Sequence, residues 1–502
     1  MARGGEDSGH ADVLIVGAGI SGIGAAYRLS RQCAGKSLLI LKARDRVGGT
    51  WDLFRYPGVR SDSDIFTLGF PFRPWPSDKS IVEGAEIRDY VEDTARELGL
   101  LDRIRFRHRV TAAAWSSEHE RWTVEAEHDG QALRFPCSFL SAASGYYDYD
   151  AGHRPRWPGE EEFGGRIVHP QAWPEALDAA GKSVAVIGSG ATAVTLVPAM
   201  AKQAARVTML QRTPTWMFSR PAKDAVANVL RRWLPEELAY RITRWKNIRL
   251  QNFGFKRARQ KPEKVKAFLH RRIRKSLGED HDLAPFTPPY NPWDQRLCLV
   301  PDDDLFAAIK AGTAEVVTAR IAGFEADGVR LEDGALIPAD IVVTATGLKL
   351  AVAGKIAISL DGEAVDFAAR FHYKGCMFSN LPNLAAVFGY LNASWTLRAD
   401  INADYICRVL NAMKASGSEI AVPALPEDHA LEEDDIFDFS SGYIQRSKHI
   451  MPRNALAYPW RLDQDYLVDV KRMATDPIED GILEFRRAGE ARAEHTMLEA
   501  AE

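Results

Sequence analysis

A chain of 502 residues is too long for one ordinary core, so two to four domains are expected. Its 46% hydrophobic and 26% charged residues are the balance of a soluble globular protein, and a net charge of -4 offers no global attraction to nucleic acid or membrane. Five cysteines, Cys33, Cys137, Cys298, Cys376 and Cys407, form no close pair in sequence, which speaks against a disulfide framework, a zinc cluster or a disulfide reductase, and no metal site is expected. No apolar run approaches the ~20 residues of a spanning helix. Residues 1–10 lack the apolar core of a secretory signal, so a short disordered leader and a reducing cytoplasm are the expectation.

Residues 12–16, Asp-Val-Leu-Ile-Val, read as a buried strand and residues 20–30 as a helix packed on it. Between them lies a GxGxxG loop. Gly17 permits the tight turn, Gly19 lets the backbone approach a pyrophosphate, and Gly22 lets helix and strand pack closely. The next strand, residues 37–41, should lead into an acid that accepts hydrogen bonds from the adenosine ribose. Lys42 stands there instead, and an ammonium can only donate. Arg44 and Asp45 are the neighbours that could partly substitute. A glycine-rich turn follows, Gly48-Gly49-Thr50-Trp51, and then Arg55-Tyr-Pro-Gly-Val-Arg-Ser-Asp62.

Residues 163–174 carry the pattern FxGxxxHxxxWP in Phe163, Gly165, His169 and Trp173. A second strand, residues 183–187, then opens into Gly188-Ser-Gly190-Ala191-Thr192-Ala193, where alanine replaces the third glycine, a change such loops tolerate. The strand at 206–210 is followed by Gln211, Arg212 and Thr213, with no acid at the ribose position. A 2′-phosphate wants arginine where a free 2′-hydroxyl wants an acid, so NADPH is favoured over NADH. A simply solvated Arg212 is the alternative. Residues 340–347 form a third apolar strand ending in Ala-Thr346-Gly347 and mark the exit from the second nucleotide domain.

Residues 221–289 read as a helical insertion. Between 231 and 275 there are sixteen Lys or Arg against three Glu, and Trp233, Leu234, Leu238, Ile242, Trp245 and Ile248 recur at helical intervals. The expectation is an apolar stripe packed on the NADPH domain beneath a solvated cationic face, with peripheral membrane contact as the second reading. Nothing in it suggests nucleic-acid recognition. The insertion ends at Tyr290-Asn-Pro-Trp-Asp-Gln295-Arg296-Leu-Cys298.

Taken together, the two loops, the FxGxxxHxxxWP run, GGTW with RYPGxRxD, and the stretch ending at Arg296 resemble the type I Baeyer-Villiger monooxygenases. The resemblance implies FAD in the first domain and NADPH in the second. Gly49, Thr50 and Trp51 would lie beside the isoalloxazine ring, and Arg296 would stabilise an anionic flavin peroxide. Asp62 would orient that arginine; a turn or helix N-cap is its bland alternative, as an interdomain salt bridge is for Arg296. Gln295 stands where many members have a lysine for the 2′-phosphate. His169 and Trp173, in the linker between domains, would couple domain motion to NADPH binding. Thr346 and Gly347 resemble the return strand of two-dinucleotide flavoproteins.

The fold class expected is α/β, with two Rossmann-like dinucleotide-binding domains and a helical insertion. FAD binding falls to residues 11–145 and 348–502, and NADPH binding to 146–220 and 290–347. The implied activity is NADPH- and O2-dependent oxygen insertion beside a ketone carbonyl to give an ester or lactone, with sulfoxidation as a side activity. A heteroatom (S- or N-) monooxygenase of the same fold is the runner-up, and a degenerate, non-catalytic flavin- and NADPH-binding protein the alternative of another class.

Overall fold

The computed structural model describes residues 9–435 and 439–489. Most of the expected leader and the polar C-terminal stretch beyond residue 489 lie outside the described residues. Two sheets organise the chain. In the first, of nine strands, Ala11–Val16 sits between Leu38–Lys42 and Gln131–Ala142, parallel to both. Leu14 and Ile15 point to opposite faces, and both are fully buried, as a central parallel strand requires. On one side of this parallel core runs an antiparallel meander of Arg109–Ser116, Arg121–His128 and Gln131–Ala142.

The chain after residue 348 returns to the same sheet. Ala357–Leu360 pairs with Arg109–Ser116, and Leu384–Ala386 pairs with Gln131–Ala142. Helix Trp395–Ser416 packs against helix Ile20–Gln32, tied by the Arg28–Asp400 ion pair at 2.8 Å.

The second sheet is five-stranded and wholly parallel, in the order Ala314–Thr318, Arg206–Gln211, Ser183–Ile187, Ile341–Thr344, Arg166–Val168. Its edge strand comes from the FxGxxxHxxxWP run: Arg166–Val168 is hydrogen-bonded to Ile341–Thr344. Phe163 anchors it edge-on to Phe324, and a Cβ at Gly165 would lie 2.3 Å from the Asp340 carbonyl.

Two stretches cross between the sheets and pair with each other. Ala351 donates from its backbone N–H to Tyr146, Asp148 to Lys349, and His153 to Gly347, at 2.9–3.0 Å. The sheets are therefore joined by a two-stranded strap rather than by one flexible link.

The insertion forms helices Ala225–Trp233, Glu236–Gln260 and Pro262–Leu277. The last packs as expected, with Ile273 and Leu277 in the core of the second sheet. The long middle helix does not. It lies against the first domain, where Arg244 Nη1 donates to the carbonyls of Phe66 (2.7 Å), Thr67 (3.1 Å) and Gly69 (2.8 Å). Asn247 donates to Asp64, and the Tyr240 hydroxyl to the Phe70 carbonyl. The stripe expected to be packed is largely solvated: Trp233, Leu238, Ile242 and Trp245 are exposed, and Leu234 and Ile248 half-buried. The physical reason is local. Short helix Ile65–Leu68 ends with orphan carbonyls, which need donors rather than hydrocarbon, so the polar face turns inward.

Candidate active site

A cavity of about 550 Å³ runs between the two sheets, and both glycine loops reach it. Gly17 and Gly19 line one end, while Ala191 and Thr192, opening helix Ala191–Met200, reach it from the second domain. The first loop has no spare room. Gly17 adopts φ +108°, and a Cβ there would lie 2.6 Å from the Ala143 carbonyl. At Gly22 a Cβ would meet the Gly17 carbonyl at 1.9 Å. In the second loop Gly188 (φ +135°) is similarly closed, whereas among the described residues nothing lies within 4 Å of a Cβ built at Gly190. Gly22, Gly188 and Gly190 shape the loops without lining the cavity.

Arg296 and Asp62 meet at the cavity wall. Arg296 Nε lies 2.9 Å from Asp62 Oδ2, and its Nη1 donates to the Leu391 carbonyl at 3.3 Å. Burial opposes the arginine's charge, but the Asp62 carboxylate and the phenols of Tyr443, Tyr146 and Tyr147 outweigh it, so its pKa lies above the usual value. Burial raises the pKa of all three phenols. The hydroxyls of Tyr146 and Tyr147 are 2.5 Å apart, and Tyr146 stacks on Trp395 at 4.6 Å. Trp395 is fixed in turn by Nε1 donating to Ser21 Oγ at 2.7 Å. Thr50, Trp51 and Gly49 line the same cavity; Thr50 Oγ1 is 3.3 Å from the Tyr149 hydroxyl.

Lys42 also lines it. The side chain is buried, 7% of the residue exposed, and its Nζ has no hydrogen bond or ion pair among the described residues. Burial, then the charge of Arg44, pushes its pKa down to about 7. Arg44 is already engaged: its Nε is 2.8 Å from the buried Asp52 carboxylate, and its Nη2 donates to the Gly49 carbonyl. Asp45 is exposed and does not line the cavity. Neither neighbour takes the place of the missing acid.

The remaining second-site residues lie off the cavity wall. Arg212 is exposed without an ion pair among the described residues, and Thr213 offers its carbonyl to Ser189 Oγ at 2.9 Å. Gln295 is half-buried in a turn bridged to Pro292. The strap holds the rest: Thr346 Oγ1 donates to the His153 carbonyl at 2.6 Å, and Gly347 takes φ +102°. His169 presses on the strap so closely that a Cβ at Gly152 would be 2.0 Å from its Cε1. Trp173 packs with Phe54 and Val59 of the first domain against the second-sheet core.

The flavin-binding monooxygenase-like family matches residues 10–414 of the chain. The chain belongs to that family. It is 48% identical over 480 residues to the FAD-containing monooxygenase EthA of Mycobacterium tuberculosis, covering 95% of this chain and 98% of that one. EthA of Mycolicibacterium smegmatis is 47% identical over 480 residues, with 95% and 97% covered. Among solved structures, steroid monooxygenase bound to NADP superposes with a TM-score of 0.74 at 22% identity, over 96% of this chain and 100% of that one. Cyclohexanone monooxygenase with bound epsilon-caprolactone gives 0.71 at 20%, over 95% and 100%. These likenesses carry the fold: two dinucleotide-binding domains with a helical region.

As a member of the flavin-binding monooxygenase-like family the chain is an FAD-dependent oxidoreductase. Its residues fit two dinucleotides, with both glycine loops converging on a shared cavity. Sequence reasoning missed four residues of this region. Tyr146 and Tyr147 follow the carboxyl end of the strand Gln131–Ala142, where α/β sheets bind ligands, so an aromatic doublet there was a readable signal. Tyr443 and Arg446 carry no such signal. Arg446 lies beside Gly347, and burial, then the charge of Arg212, lowers its pKa.

Proposed function

We propose that this monooxygenase inserts oxygen beside a ketone carbonyl, giving an ester or lactone, and oxidises sulfides at the same site. The observation that carries the reading is the Arg296–Asp62 pair inside the cavity that both loops share. A simple S- or N-oxygenation does not require a fixed cation at that point. Bound FAD, reduced by NADPH, would supply activated oxygen. Gly17, Gly19, Gly49, Thr50, Trp51 and Lys42 would hold FAD. Gly190, Ala191, Thr192, Arg212 and Arg446 would hold NADPH.

The chain's own work is electrostatic. Arg296, oriented by Asp62, places a permanent positive charge where negative charge gathers on the oxygen to be transferred and on the attacked carbonyl oxygen. The phenols of Tyr146 and Tyr147 keep their protons and can donate into the same space. The Tyr146–Trp395 stack forms an apolar wall that limits water. His169, seated on the strap at Gly152, would transmit closure of one domain to the other.

Anaerobic reduction with NADPH, then oxygen in the presence of a long-chain ketone, a cyclic ketone or a sulfide, tests the reading. Ester or lactone in the product mixture is the expected result. Sulfoxide alone, with every ketone unchanged, would establish the heteroatom oxygenase instead. A protein that binds FAD and NADPH but oxygenates neither ketone nor sulfide would support a non-catalytic binding protein. The same proposal extends to location: ketones and sulfides with long apolar chains partition into lipid, and the insertion offers a face for peripheral contact with a membrane.

A further inference from the structure

Helix Glu236–Gln260 buries its polar face and exposes its apolar one. Tyr240, Thr243, Arg244 and Asn247 face the protein. At 3.6 residues per turn, Leu238, Ile242, Trp245 and Phe253 share the opposite sector with Arg249. Trp245 is 58% and Phe253 62% exposed. The preceding helix, Ala225–Trp233, repeats the arrangement at spacings of three and four with Val226, Val229 and Trp233, the last 82% exposed. Scattered exposed apolar residues need no explanation, but stripes on two adjoining helices do.

Charge surrounds these stripes. Of the sixteen Lys and Arg between 231 and 275, five are paired with acids: Arg231, Lys246, Lys256, Arg259 and Lys266. On the two striped helices themselves, Arg232, Arg241, Arg249 and Arg257 are exposed and have no ion pair among the described residues. The Arg249 guanidinium lies 4.5 Å over the Trp245 ring, an amphipathic pair suited to a boundary between hydrocarbon and phosphate. Among the described residues no helix is long and apolar enough to cross a membrane.

We propose that the outer faces of Ala225–Trp233 and Glu236–Gln260 seat the enzyme on an anionic lipid surface, with the helices in the plane of the interface and Trp233, Trp245 and Phe253 inserted. The occupant follows from charge complementarity. A second copy on the same face would bring two unpaired cationic rims together, whereas acidic headgroups neutralise one. This deepens the peripheral contact in the proposed function and does not depend on which substrate is oxygenated.

The test is co-sedimentation of the FAD-loaded full chain with phosphatidylcholine vesicles, with and without phosphatidylglycerol. Association is expected with the anionic vesicles. It should fall at least about tenfold with neutral ones, and likewise near 1 M salt, where the Debye length is about 3 Å. The variant W233S/W245S/F253S should lose association by a similar factor while keeping its flavin and its turnover of a soluble sulfide. If that variant does not fold, charge reversal at Arg241 and Arg249 probes the same face from its rim. Equal binding to neutral and anionic vesicles would overturn the proposal. So would a wild-type dimer in sedimentation velocity that ignores vesicles and dissociates only in the triple variant. Absent vesicle binding with normal turnover in solution rejects this surface alone; absent turnover by the wild type in solution rejects the oxygenation reading instead.

Discussion

The guanidinium of Arg296 is held by one carboxylate and one backbone carbonyl, so its position depends on few partners. In Arg296→Ala the charge at the oxygen-transfer point is lost while the nucleotide loops are untouched. We expect ester formation to fall by at least about 100-fold, the scale of one lost electrostatic stabiliser, with flavin reduction by NADPH largely preserved. Stopped-flow traces separate the two steps; slow reduction in the variant would put Arg296 at the hydride step. Lys42 poses the opposite problem, a buried donor without a partner. Lys42→Glu should restore an acceptor toward the adenosine ribose and tighten FAD by about 1–2 kcal/mol. Flavin retained after dilution checks it, and unchanged retention would show that the ribose is held elsewhere.

The same lysine predicts a pH dependence of the flavin-free protein. Its pKa falls from 10.5 to about 7 on folding, mainly through burial. Between those values the unfolded chain binds the proton that the folded one rejects, so stability rises with pH across that window. The penalty is full below about pH 7 and gone above about 10.5. Lys42→Met should therefore stabilise the fold most near neutrality, by on the order of 2–4 kcal/mol read as a higher melting temperature, and little at pH 10. A gain that is flat with pH would point to packing rather than titration.

At the level of elements, the sequence disclosed what backbone geometry dictates. Gly17 and Gly22 sit where a Cβ would strike a carbonyl, and that demand is local, so the loop, strand and helix could be read together. The antiparallel meander went unread although Arg121–His128 alternates in burial along its length. Periodicity in the insertion located an apolar face correctly but could not name its partner, because a stripe has the same spacing whether it packs or is solvated. What orients the helix is Arg244, a single residue that no pattern marks. Arg244→Leu would leave the carbonyls of Phe66, Thr67 and Gly69 without their donor, at a cost of about 2–4 kcal/mol. A lower melting temperature and faster proteolysis within 236–260 are expected. A variant that melts like the wild type would mean that the remaining contacts of Tyr240 and Asn247 suffice.

At the scale of the whole molecule, Arg212 and Arg446, the two cations proposed to hold NADPH, come from different bodies. Arg212 follows a strand of the second sheet, whereas Arg446 follows helix Gly442–Gln445, whose Ile444 is packed in the core of the first. A 2′-phosphate placed between them would be gripped from both sides of the strap, so cofactor choice and domain closure become one event. An arginine–phosphate contact of about 1.5–3 kcal/mol corresponds to roughly 10–150-fold in kcat/KM. Arg212→Ala should lower kcat/KM for NADPH within that range and leave NADH use nearly unchanged. Arg446→Ala should do the same more weakly, and the double variant should lose less than the product of the two, because both act on one anion. The flavin-loaded enzyme should also gain melting temperature on adding NADP⁺, and this gain should shrink in both variants. Equal losses with NADPH and NADH in Arg446→Ala would show that it serves the fold and not the phosphate. Equal use of the two nicotinamides by the wild type would remove the 2′-phosphate from the argument altogether.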